Sequence, residues 1–165
     1  MRKFNFSSEE YKMHTPFVIS RGTRTATTVV LVEIEQDGKK GWGESCPTPH
    51  YGESVESVMA QIADIAPKME AGLSRIDLQS ALPPGAARNA IDCALWDLEA
   101  KQSGKTIAQL MGHQWPDALQ SVETISIGTA DAMGKKAATL ANFPTIKVKM
   151  NAEDIKNRIE AVHKN

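Results

Sequence analysis

After Pro116 the chain alternates between two periods. Ser121 to Ile127 is rich in β-branched residues and predicts a strand, and Ala130 to Ala141 predicts a helix. Thr145 to Met150 predicts a second strand, and Ala152 to Val162 a second helix. Strand–helix–strand–helix over so short a stretch implies parallel strands joined by right-handed crossovers, because antiparallel neighbours need no helix between them. Parallel strands are covered on both faces, and two of them make too small a sheet to stand alone. This segment therefore needs more chain, its own or another's. A (β/α)8-type barrel takes about 200 residues or more, so the segment reads as the first two βα units of an incomplete barrel, a truncated start.

Everything before Pro116 has a different rhythm. Phe4 and Phe6 stand two apart, as on one face of a strand. Thr27 to Glu35 is a β-branched run, Asp37-Gly38 is a strong two-residue hairpin signal, and Lys40 to Ser45 returns as the partner strand. These predict a three-stranded antiparallel meander. From Ser54, a plausible N-cap, the period becomes helical, with Val55, Val58, Met59, Ile62 and Ile65 on one stripe. Pro83-Pro84-Gly85 interrupts the chain. A helix from Ala86 to Ser103 follows, with Ala90, Ala94, Leu95 and Leu98 on its buried face and Gly104 ending it. A short turn of helix, Ile107 to Met111, stops at Gly112. The predicted organisation is an α+β domain over 1–116 and the barrel start over 117–165.

Composition narrows the function classes. Nineteen basic and twenty acidic residues are interspersed, giving a formal net charge of −1. No basic stripe is present to track a phosphate backbone, so no nucleic acid partner is expected. The longest apolar run, Val29 to Val32, is far too short to span a bilayer. The basic N-terminus leads into Ser7-Ser8-Glu9-Glu10 with no apolar stretch, which argues against a secretory signal and for a cytoplasmic chain. Cys46 and Cys93 lack metal-ligand spacing and read as two free, mostly buried thiols.

Three places could carry chemistry. Lys147-Val148-Lys149 ends the second predicted barrel strand, where alternation puts both ammonium groups on one side. Paired like charges favour a neutral lysine able to take a proton from carbon beside a carboxylate. Barrel active sites lie at this end of the strands. Spacing alone does not separate that reading from two lysines on a solvated strand. Arg21 and Arg24 lie in a predicted loop between the first two strands, from His14 to Arg24, and could clamp a carboxylate or simply decorate a surface. Pro47 to Glu53 brings His50, Tyr51 and Glu53 together as a lid or an ordinary strand-to-helix turn. No His or Cys cluster suggests zinc.

The order of His14-Thr15-Pro16-Phe17, Gly41-Trp42-Gly43-Glu44, Tyr51-Gly52-Glu53, the run Ala87 to Leu98, Gly104 to Gly112 and Lys147-Val148-Lys149 resembles the enolase superfamily. Within it, the likeness is to the dipeptide (L-Ala-D/L-Glu) epimerases, and it covers essentially the whole chain. The resemblance implies that 1–116 is a capping domain closing over a barrel mouth. It implies an isomerase that moves a proton at the α-carbon of an L-Ala-L-Glu-type dipeptide, with Lys149 as one of two opposed acid/bases and Lys147 as its electrostatic neighbour. Arg24 would hold the substrate's acidic side chain, Tyr51 would belong to the second capping loop, and Thr124 would touch the dipeptide.

A magnesium ion stabilises the enediolate in the complete family enzyme. Its carboxylate ligands lie on the third to fifth barrel strands and the second base on the sixth, so none is expected here. No metal is expected to bind this chain, and the chain alone is expected to be inactive. Glu153 and Asp154 fall on the second predicted helix and are not ligands. Muconate cycloisomerase, o-succinylbenzoate synthase and N-acylamino acid racemase share the architecture and remain alternatives, as does a non-catalytic capping or assembly module. The expected partners are a dipeptide, and either a second copy of the chain or a complementary C-terminal half.

Overall fold

The computed structural model describes residues 1–164. By contacts the chain divides into two compact units: Met1–Tyr11 with Thr27–Trp115, and Lys12–Ala26 with Pro116–Asn165.

The meander is β1 (Lys3–Ile19), β2 (Gly22–Gln36) and β3 (Lys39–Ser45), in the order β1-β2-β3; the first unit carries it except for the β1–β2 tip, Lys12–Ala26, which belongs to the second. The hairpin signal is borne out. Gln36 pairs with Lys39 across Asp37 and Gly38, whose φ values of 52° and 72° give the doubly left-handed turn that matches strand twist. The four helices are α1 (Val55–Glu70), α2 (Arg75–Ala81), α3 (Ala86–Ser103) and α4 (Ile107–Met111). Ser54 caps α1 in a reciprocal box. Its hydroxyl accepts from the Ser57 amide at 3.1 Å, while Ser57 Oγ accepts from the Ser54 amide at 3.0 Å. Val58, Ile62 and Ile65 are buried as the stripe requires, and Met69 joins them. Helix α2 has no counterpart among the sequence expectations; Ser74 caps it, its hydroxyl accepting from the Asp77 amide at 3.1 Å.

Helix α3 is the central element. Ala90, Ala94, Leu95 and Leu98 are buried with Ile91 against Phe4, Val30, Val32 and Ile34 of the sheet. It lies so close to β3 that a Cβ on Gly41 would come within 2.1 Å of the Ala94 carbonyl oxygen, and one on Gly43 within 1.9 Å of the Ala90 carbonyl oxygen. The glycines of the Gly-Trp-Gly-Glu motif are thus a seat for a helix. Helix α3 also occupies the outer edge of β3. The Trp42 amide donates to Asp97 at 2.8 Å, and the carbonyls of Glu44 and Lys40 accept from Asn89 at 3.2 Å and Lys101 at 2.8 Å. An edge that would otherwise recruit another strand is satisfied within the chain.

The second unit contains two parallel strands, β4 (Glu123–Ile125) and β5 (Ile146–Val148), with α5 (Ala130–Ala138) and α6 (Ile155–His163). Ile125, Met133, Ala137 and Leu140 form its small core, with Ile146, Val148, Met150 and Val162 packed around them. The βαβα prediction holds, although both strands are shorter than the β-branched runs suggested.

Two expectations are corrected. The segment His14 to Arg24 is not a loop. β1 continues to Ile19 and β2 starts at Gly22, so Arg24 stands on a strand. Pro16 had marked a loop, but β1 is an edge strand, where a residue without an amide proton is tolerated. Both cysteines are free as expected, yet both are exposed rather than buried. Cys93 falls on the outward side of α3, and Cys46 lies just past the end of β3.

Candidate active site

Strand alternation and register build the site. Thr124 pairs with Lys147 and Ile125 with Val148 across the parallel ladder, which continues one step further as the Lys149 amide donates to the Ile125 carbonyl at 2.9 Å. Ile125, Val148 and Met150 face the helices, so Thr124, Lys147 and Lys149 share the opposite face. Lys147 is exposed and Lys149 half-buried. Lys149 stands just beyond β5, at the end where parallel barrels carry their chemistry.

A concavity of about 570 Å³ lies beside β4. Consecutive residues Glu123 to Gly128 form one wall, so the backbone edge as well as side chains faces it, and Thr15, Pro16 and Phe17 form another. The Ile127 amide donates to the Val18 carbonyl at 3.1 Å, tying the hairpin tip to the chain leaving β4. The structure thereby places the His14 to Phe17 motif next to Thr124, which lines the same concavity. Arg24 is exposed on β2 and belongs to this unit.

Tyr51 belongs to the other unit. It ends a single 3-10 turn, Pro49–Tyr51, is 78% exposed, and meets the His50 ring edge-on with centroids 5.2 Å apart. The turn closes through Gly52 at φ 75°. Glu53, in the same segment, has a structural task. Its Oε1 accepts from the Ala86 amide at 2.6 Å and its Oε2 from the Thr48 amide at 3.4 Å, capping α3, whose own N-cap is the side-chain-free Gly85. Sequence reasoning grouped Glu53 with His50 and Tyr51 by proximity. Nothing in the local pattern marks a cap 33 residues from the helix it serves.

Among the described residues no three His, Cys, Asp or Glu side chains converge. Glu153 and Asp154 precede α6, where Asn151 and Asn157 hold them by hydrogen bonds. No helix among these residues is long and apolar enough to cross a membrane.

Residues 1–112 match the N-terminal domain of the mandelate racemase/muconate lactonizing enzymes. The chain belongs to that family, within the enolase superfamily. L-Ala-D/L-Glu epimerase of Escherichia coli is 47% identical over 164 residues, which are 98% of this chain and 51% of the relative. A crystal structure of an enolase family member from Agrobacterium tumefaciens, with homology to dipeptide epimerases and with sodium and L-Ala-L-Glu bound, superposes with a TM-score of 0.93. It shares 44% identity and covers 99% of this chain and 50% of that one. A dipeptide epimerase from Cytophaga hutchinsonii, complexed with Mg and D-Ala-L-Val, gives 0.83 at 26% identity, over 99% of this chain and 48% of that one. The chain spans about half the length of the relatives it matches. The architecture expected from the resemblance, a capping domain followed by two parallel βα units, is the architecture observed.

Proposed function

We propose that this chain is the N-terminal half of a dipeptide epimerase-like isomerase, which moves a proton at the α-carbon of an L-Ala-L-Glu-type dipeptide. The observation that carries the reading is the shared face of Thr124, Lys147 and Lys149 at the C-terminal end of two parallel strands. The likeness to L-Ala-D/L-Glu epimerase supports the substrate class. Lys149 is the acid/base on one side of the α-carbon, and Lys147 is its electrostatic neighbour. Thr124 contacts the dipeptide backbone. Arg24 pairs with its acidic side chain, and Tyr51 belongs to the second capping loop. Among the described residues there is one such base and no converging set of carboxylates. The isolated chain is therefore inactive, and catalysis requires the strands that bring magnesium ligands and the opposing base.

The experiment is deuterium incorporation at the α-carbon of L-Ala-L-Glu in heavy water with magnesium, followed by NMR. The chain alone gives no exchange. With a complementary C-terminal half, exchange appears, Lys149→Ala abolishes it, and Arg24→Ala weakens the use of acidic dipeptides selectively. Exchange by the chain alone, or by the complemented Lys149→Ala variant, would overturn this assignment.

The second unit also favours association. Val122 is 48% exposed, and Ile155 and Ile159, one turn apart on α6, are 46% and 52% exposed. Each large aliphatic side chain left in water forgoes about 1.5–3 kcal/mol of burial. A second copy or a complementary half covering the residues after Pro116 would recover it.

A further inference from the structure

Helix α6 is turned against its own apolar pattern. Ile155 and Ile159 face solvent while Arg158 is 9% exposed, the one charged side chain buried among the described residues. Burying a guanidinium is costly unless its protons find acceptors, so what Arg158 touches shows what the burial is for. Its Nη1 donates to Asn151 Oδ1 and, at 2.7 Å, to the Glu153 carbonyl, while Nε has no partner. Asn151 Oδ1 also accepts from the Glu153 amide at 3.2 Å, and its Nδ2 donates to Glu153 Oε2 at 3.2 Å. The turn then passes through Asp154 at φ 48°, a left-handed conformation that needs support in a residue with a Cβ.

These contacts bracket Lys149. On its N-terminal side the backbone is fixed by the ladder bond from its own amide to Ile125. Two residues later the Asn151 side chain is held by Arg158, which also fixes the backbone carbonyl of Glu153. Between two such anchors Lys149 has little freedom to drift from the end of β5.

We propose that Arg158 is a positioning residue for Lys149, acting through Asn151 to hold the turn after β5 in the one arrangement that keeps the Lys149 side chain half-buried. Its meaning for catalysis rests on the assignment of Lys149 above, but the positioning itself can be read without catalysis.

The test is competitive reductive methylation of the full chain with labelled formaldehyde, with rates at Lys149 and Lys147 read by peptide mass spectrometry. Losing one charge-assisted hydrogen bond shifts a local opening equilibrium by roughly tenfold or more, so Asn151→Ala and Arg158→Met raise the Lys149 rate about tenfold or more relative to Lys147. Where Arg158→Met disturbs folding, Asn151→Ala decides. An unchanged ratio in Asn151→Ala overturns the proposal. So does a parallel rise at both lysines, because the clamp would then support the fold alone. Deuterium exchange that survives Lys149→Ala would remove the catalytic assignment and leave this result standing.

Discussion

Gly43→Ala puts the seat of α3 to the test. The added methyl would lie 1.9 Å from the Ala90 carbonyl oxygen and 2.6 Å from the Ala94 amide nitrogen. Both are backbone atoms of a helix, so no side chain can rotate aside, and α3 must lift away from β3. Overpacking of this kind costs about 1–3 kcal/mol. The lift also stretches the hydrogen bonds on either side of Gly43, Trp42 amide to Asp97 and Asn89 to the Glu44 carbonyl. At about 1 kcal/mol each these bring the loss to roughly 3–5 kcal/mol, a large part of the 5–15 kcal/mol typical of a domain.

The control is Gly38→Ala, at φ 72° with nothing within 4 Å, where only backbone strain of about 1–2 kcal/mol applies. Urea unfolding read by tryptophan fluorescence is the assay, because Trp42, Trp96 and Trp115 all belong to the first unit. With an m-value of about 2 kcal/mol/M, the midpoint falls by roughly 1.5–2.5 M for Gly43→Ala and 0.5–1 M for Gly38→Ala. A Gly43→Ala midpoint no lower than that of Gly38→Ala would refute the close-approach argument.

Glu53→Ala removes the cap on α3 and leaves the Ala86 amide without its acceptor, which should destabilise the first unit by about 1–2 kcal/mol in the same assay. Lys3 donates to Glu35 at 2.9 Å and holds its carboxyl below the ordinary carboxylate value. That stabilisation is therefore present above the ordinary value and is lost as pH falls through the lowered one. In Lys3→Gln, Glu35 should titrate at a higher pH by carboxyl-carbon NMR, and an unmoved titration would remove the pair from the account. Light scattering at micromolar concentration should show a species larger than a monomer, built through residues after Pro116. A monomer whose amides from Ser121 to Met150 resist hydrogen exchange would rule that out.

Much of this protein is determined locally. Asp37-Gly38 fixes the β2–β3 turn because few residue pairs accept two left-handed conformations in succession. The apolar stripe of α1, the span of α3 and its end at Gly104 follow from period and capping, each decided within one or two turns of chain. Lys147 and Lys149 share a face because strands alternate, and their motif, read with five others in order, pointed to the family.

The tertiary structure decided what depends on contacts distant in sequence. Pro16 suggested a loop, and only the edge position of β1 shows why strand continues through it. Gly41 and Gly43 read as motif letters until α3 was seen against their backbone. Glu53 became a helix cap through a partner 33 residues away. On α6 Ile155 and Ile159 stand outside and Arg158 inside, because the carbonyl and amide oxygens of the preceding turn offer its protons acceptors there. Periodicity records how apolar a position is; which polar groups wait at the buried face is settled only when the chain folds back on itself.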